Sequence, residues 1–211
     1  MKAETMAADR QRSNGFAMAI VVEGGLALLA AGLAWAFHVP LSEQIPSRGS
    51  PLLFAFVRGI LVTLPMLAAF FWLVHSSRAT LRQLRQQVEW LIGEMFPTAS
   101  IPQFAMVALL AGVGEELLFR GVIQYLLAEW TTPVTGLVLA SLLFGAAHAL
   151  SKLYFVLATL IGLCFGWLVF RYNDLVGPIV AHALYDFVAL VYLSRRRSRL
   201  SANTAPPPEK L

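Results

Sequence analysis

The chain has 211 residues, 58% of them hydrophobic and only 13% charged, with a formal net charge of +4. Its mean hydropathy of +0.68 excludes an ordinary soluble domain and points to an integral membrane protein, read as a single domain. In a soluble chain the basic excess would suggest nucleic acid. Here the basic residues gather beside apolar runs, so the expected partner is the lipid bilayer and not nucleic acid.

Residues 1–14, MKAETMAADRQRSN, are polar and mixed in charge. They lack the short apolar core and small-residue cleavage site of a removable signal peptide, so the first apolar run is expected to stay in the membrane. A helix needs roughly 20 apolar residues to cross the hydrocarbon, and six runs of that kind follow, at 15–38, 52–75, 101–128, 133–150, 153–170 and 175–193. Between the second and third, Leu81, Leu84, Val88, Leu91, Ile92 and Met95 recur at helical spacing, with Arg78, Arg82, Arg85 and Glu89 on other faces. That pattern predicts an amphipathic interfacial helix. Cys164, the one cysteine, reads as a small packing residue. GLCFG, residues 162–166, fits small-xxx-small helix packing. The expected organisation is all-α: a polar N-terminus (1–14), two transmembrane helices and the amphipathic helix (15–99), a four-helix core (100–193), and a basic, disordered tail (194–211).

A cytoplasmic N-terminus puts Lys2, Arg10, Arg12, Arg78, Arg82, Arg85, Lys152, the RRRSR cluster at 195–199 and Lys210 inside, against Arg48 and Arg171 outside. The asymmetry predicts six spans with both termini cytoplasmic, and a bacterial inner membrane suits such a chain.

Charged side chains near the bilayer centre cost about 2.5 to 3.5 kcal/mol each on insertion scales, so those that persist face a cavity or a partner. The spans hold Glu23, Arg58, Glu115, Glu116, Arg120, His148, His182 and Asp186. Residues four apart on a helix lie about 40° apart in projection, so Glu116 and Arg120 are expected to pair. Glu115, about 100° from Glu116, is then turned to the bundle interior. The same rule puts Phe144 with His148 and His182 with Asp186. A carboxylate and two imidazoles on separate helices can hold a water between a base and a polarising group. They can equally bind a divalent metal such as zinc through Glu115, His148, His182 and Asp186. Water activation for hydrolysis follows either way. Arg58 is expected to snorkel outward, and Glu23 to hydrogen-bond within the bundle.

The zinc motif HExxH, a GxSG serine loop and the GxGD aspartyl motif are all absent from the sequence. In their place GEELLFRG (114–121), FGAAH (144–148) and HALYD (182–186) resemble, in order, the EExxxR, FxxxH and Hxxx(N/D) motifs of the CAAX protease and bacteriocin-processing family, also called the Abi or type II CAAX prenyl endopeptidase-like family. The resemblance covers roughly residues 100–193. It implies an α-helical intramembrane endopeptidase in which Glu115 and His148 activate a water. His182 with Asp186 would stabilise the oxyanion, and Glu116, Arg120 and Phe144 would organise the site. The eukaryotic motif ends in Asn, whose amide can donate to an oxyanion; an ionised Asp186 can only accept, so its implied task is to orient and charge His182.

The substrate implied is a membrane-associated protein or peptide. Two other classes fit the same composition: a non-proteolytic scaffold or bacteriocin-immunity-type protein that keeps the fold, and a proton or ion carrier. The intact Glu, His, His set weighs against the first, and the lack of an inverted repeat against the second. Substrate identity, cleavage position and oligomeric state leave no mark in the sequence.

Overall fold

The computed structural model describes residues 2–46 and 48–204, with side chains over 15–46 and 48–199. Among the described residues the regular structure is helical: α1 (Lys2–Ala36), a 3₁₀ turn (Leu41–Gln44), α2 (Gly49–His75), α3 (Ala79–Met95), α4 (Ile101–Glu116), a π-helical segment (Leu117–Gln124), α5 (Tyr125–Trp130), α6 (Pro133–Ala147), α7 (Lys152–Tyr172) and α8 (Val176–Thr204). The protein is an all-α polytopic membrane bundle. Gly15–Ala36, Gly49–His75, Lys152–Tyr172 and Val176–Arg199 are long and apolar enough to cross a membrane, and Pro133–Ala147 is a shorter apolar helix.

The expected span at 101–128 is present as α4, the π segment and α5 in continuous succession. A capping box at Ser100 and Gln103 opens it, with proline in its first turn, which pairs the otherwise orphaned first amides. The winding widens directly after Glu116. Such π turns inside α-helices mark functional positions. Gly121 lies in this segment, where a Cβ would meet the side chains of Leu41 and Leu175.

α8 packs at the centre against α2 and α4, and α4 against α1. Glycine permits these close approaches: a Cβ at Gly59 would strike the Gly177 carbonyl and Val180, and one at Gly112 would crowd the Ile179 carbonyl and Ala183. At the α6–α7 interface Gly162 lies against Ser141, so the 162–166 small-residue pair packs helices as expected. One apolar cluster joins Ala19, Phe70, Val74, Ile92, Phe96, Phe104, Val107 and Leu193; a second joins Ala30, Ala34, Val39, Leu118, Phe119, Val122, Phe144 and Ala158.

Two expectations are corrected. The basic segment expected to begin a disordered tail at 194 is helical, because α8 runs on to Thr204. Arg196 Nε lies 2.8 Å from Glu89 Oε1, and Arg197 Nη1 donates to the carbonyls of Glu89 (3.4 Å) and Trp90 (3.2 Å), so α3 gives these arginines partners. Residues 205–211, the rest of that expected tail, lie outside the described residues. α3 is the expected amphipathic helix, and Val88, Ile92 and Met95 on its apolar face join the first apolar cluster, while Trp90 is exposed. Arg58 does not snorkel. Its Nη2 donates to Asp174 Oδ2 at 2.8 Å, and its guanidinium lies 4.4 Å over the Tyr172 ring. Asp174 Oδ1 also accepts from the Val176 amide at 2.8 Å, so a single carboxylate holds the start of α8 and neutralises a span arginine.

Candidate active site

Glu116 and Arg120 are fully buried, and Arg120 Nη1 donates to Glu116 Oε1 at 2.9 Å. The same oxygen faces His182 Nδ1 at 2.8 Å. A carboxylate only accepts, so Nδ1 carries a hydrogen and His182 presents Nε2 on its far side. That nitrogen lies 3.4 Å from Asp186 Oδ2. Phe165 stacks on the His182 ring at 5.4 Å and 28°. The imidazole is thus fixed in tautomer by Glu116 and in plane by an aromatic face.

His148 is positioned by a different device. α6 stops at Ala147, and His148 is its C-cap, with φ −103° and ψ 11°. Its backbone amide bonds Gly145 and Ala146 carbonyls, which leaves the Phe144 carbonyl among the orphans of the last turn. His148 Nδ1 lies 2.9 Å from that carbonyl. A carbonyl only accepts, so Nδ1 donates and Nε2 is turned to Glu115 Oε2, 3.4 Å away. Glu115 Oε2 is buried with no hydrogen-bond partner. A neutral imidazole then sets a lone pair against a carboxylate oxygen, an arrangement that a shared proton or a bridging water satisfies.

Phe144 stands between the two histidines. Its ring lies 4.4 Å from His148 and 6.1 Å from His182, and the Arg120 guanidinium sits over it at 4.1 Å, within cation–π range. The structure therefore brings together all seven residues singled out from the sequence: Glu115, Glu116, Arg120, Phe144, His148, His182 and Asp186. A simple six-span layout sets His148 at one membrane surface and His182 in the opposite half. In the structure both rings lie against Phe144, and α6, with 15 residues, is about 22 Å long, shorter than the roughly 30 Å hydrocarbon layer.

The four-ligand metal set is not assembled. Among the described residues no three His, Cys, Asp or Glu side chains group as a metal site, and His182 Nδ1 is committed to Glu116. The acids and imidazoles form two pairs instead.

A cavity of about 510 Å³ opens onto this cluster. His148, Tyr154, His182 and Asp186 line one part; Leu81, Leu84, Val88 and Leu91 of α3, with Leu73 of α2 and Leu190 of α8, line the apolar remainder. Cys164 also lines it. Sequence reasoning missed Tyr154, Tyr185 and α3 as cavity walls, since an apolar face carries no sign of whether it meets lipid or a cleft. Asp174 was signalled by its place before LVGP, a helix-start pattern.

Fold and site define a polytopic membrane protein with paired carboxylates and imidazoles beside a cavity that His148, His182 and Asp186 line. Residues 97–188, less than half of the chain, match the family model described as "Type II CAAX prenyl endopeptidase Rce1-like". The "Uncharacterized protein YpbD" of Bacillus subtilis (strain 168) is 37% identical over 98 residues, 45% of this chain and 48% of the relative. The chain thus spans about half the length of that curated relative. No solved structure matches the chain.

Proposed function

We propose that this protein is an intramembrane endopeptidase that hydrolyses a peptide bond of a membrane-associated protein or peptide. The observation that carries the reading is the unpartnered, buried Glu115 Oε2 facing His148 Nε2 at 3.4 Å, beside a second imidazole held at Nδ1 by Glu116 and facing Asp186 with Nε2. Glu115 and His148 hold a water and take its proton as its oxygen bonds to the scissile carbonyl carbon. The developing oxyanion accepts from His182 Nε2–H, with Glu116 and Asp186 stabilising the imidazolium that donates. Collapse of the tetrahedral intermediate breaks the C–N bond, and the proton held by the Glu115–His148 pair passes to the leaving amine. Arg120 holds Glu116 in place through their 2.9 Å ion pair. The apolar cavity walls support an apolar substrate segment, and the bias of basic residues supports cytoplasmic termini in a bacterial inner membrane.

The test is cleavage of membrane-anchored and short peptides by purified protein in detergent. Wild type is expected to cleave, with Glu115→Ala and His148→Ala each reducing kcat by about 10²–10⁴-fold while unfolding at an unchanged temperature. A well-folded wild type that cleaves nothing overturns the reading in favour of a partner-binding scaffold.

A further inference from the structure

α3 lies across one end of the bundle. Arg85 bonds the Val74 carbonyl at the end of α2, and Glu89 and Trp90 receive Arg196 and Arg197 from the end of α8. A Cβ at Gly15, where the α1 span begins, would strike the Met95 carbonyl at the far end of α3. One at Gly93 would overlap the Arg197 guanidinium, so that arginine is seated on the helix backbone. Three helices long and apolar enough to cross a membrane thus present the same end to α3, which sets it at the level where hydrocarbon gives way to headgroups.

The two sides of α3 differ. Leu81, Leu84, Val88 and Leu91 line the cavity, while Arg82, Gln86 and Trp90, four residues apart, are exposed on the opposite side. Arg78, at the start of the helix, is exposed and lies 5.7 Å over the exposed Trp72 ring of α2. Arg195 and Arg199 are exposed at the end of α8. Residues 72–95 and 190–199 hold seven arginines and two carboxylates. Glu89 faces Arg85 and Arg196, and Glu94 lies 3.9 Å from Arg197, so the acids are taken up by the inner arginines and the outer four point their charge away from the bundle. Indole rings favour the headgroup level of a bilayer, and guanidinium groups pair bidentately with phosphate. A soluble acidic partner matches the charge but gives no account of tryptophans bared at span ends; a charged leaflet matches both.

We propose that the outer face of α3 and the arginine end of α8 form a binding surface for anionic phospholipid headgroups of the adjoining leaflet. Arg78, Arg82, Arg195 and Arg199 are its phosphate-binding groups, and Trp72 and Trp90 its anchors. Bound headgroups hold α3 from outside while its leucines form the cavity wall from inside. This surface goes beyond the endopeptidase reading and does not depend on it.

The test uses the full-length protein in phosphatidylcholine nanodiscs doped with brominated phosphatidylglycerol or brominated phosphatidylcholine, which quench nearby tryptophans. Trp35, Trp130 and Trp167, all exposed, are replaced by phenylalanine so that Trp72 and Trp90 report. An arginine near a charged leaflet contributes about fivefold in affinity, so this reporter protein is expected to prefer phosphatidylglycerol about tenfold or more at low salt. Combining Arg82→Gln, Arg195→Gln and Arg199→Gln is expected to remove most of that preference, and the three lysine substitutions to keep most of it. About 1 M salt, where screening acts within about 3 Å, is expected to abolish it. No preference in the reporter protein overturns the proposal, as does a preference that survives the glutamine variant or the salt. If the glutamine variant fails to fold, the salt dependence decides alone. Loss of the preference to millimolar glycerophosphate, which is expected to have no effect, would mark a site for free phosphate and overturn the lipid assignment. Binding of soluble poly-glutamate through the same arginines without any lipid preference would assign the patch to an acidic protein and also overturn it. No readout involves peptide cleavage, so failure here and failure of the endopeptidase reading are distinguishable.

Discussion

Arg120 is the most demanding residue energetically, a guanidinium at 2% exposure whose ion-pair partner Glu116 is at 0%. Removing one member of such a pair leaves a buried, uncompensated charge, and the cost is about 3–5 kcal/mol. Arg120→Met is therefore expected to unfold at a much lower temperature than wild type in detergent melts, and Glu116→Gln combined with Arg120→Met to recover part of that loss. Arg120→Lys keeps the charge but not the flat cation over Phe144, so it is expected to retain more stability than Arg120→Met. Phe144→Ala removes the ring that touches His148, His182 and Arg120 at once. It is expected to cost about 3–5 kcal/mol in the melt and to lower kcat. The Glu116–Arg120 and Phe144–His148 relations are legible in the spacing alone, since residues four apart on a helix share a face. The Glu116–His182 bond is not, because sequence spacing cannot report which helices are neighbours.

At the scale of elements, helix closeness is set where glycine replaces a side chain. A Cβ at Gly145 would strike Thr159 Oγ1 and the Phe155 carbonyl. Gly145→Val is expected to push α6 from α7 and to destabilise by about 1–3 kcal/mol in a thermal melt. Because Gly145 lies one turn before His148, activity is expected to fall more than stability. α3 is fastened differently. Its Glu89 faces Arg196 and, at 3.8 Å, Arg85, while Arg85 also bonds the Val74 carbonyl at the end of α2. Arg196 is about a third exposed, so the pairing contributes about 1 kcal/mol or less after solvent screening. Glu89→Gln is expected to leave the melt nearly unchanged yet to speed proteolysis at the 76–78 and 97–100 connections of α3. The amphipathic pattern of α3 was legible; the face it covers was not, since lipid and a neighbouring helix are equally apolar solvents for leucine.

At the scale of the molecule, the family-matched core does not close its own interior. Ala19 of α1, Phe70 and Val74 of α2, Ile92 and Phe96 around α3 and Leu193 of α8 lie outside residues 97–188 and form most of one apolar cluster. The segment 97–188 expressed alone is expected to show helical circular dichroism but no cooperative melt, whereas the full chain melts cooperatively. The N-terminal helices carry no motif, and their contribution is an apolar wall along the cavity. By itself, the sequence determined the membrane class, the helical runs and the seven candidate residues that the structure brings together, because hydropathy and four-residue spacing are local properties of the chain. Tertiary structure alone decided that His148 and His182 come together around Phe144, that α3 turns its apolar face to a cavity, and that α1 crosses α4 at Gly114. Each of these depends on which helices cross and at what depth, a matter of packing between residues far apart in the chain.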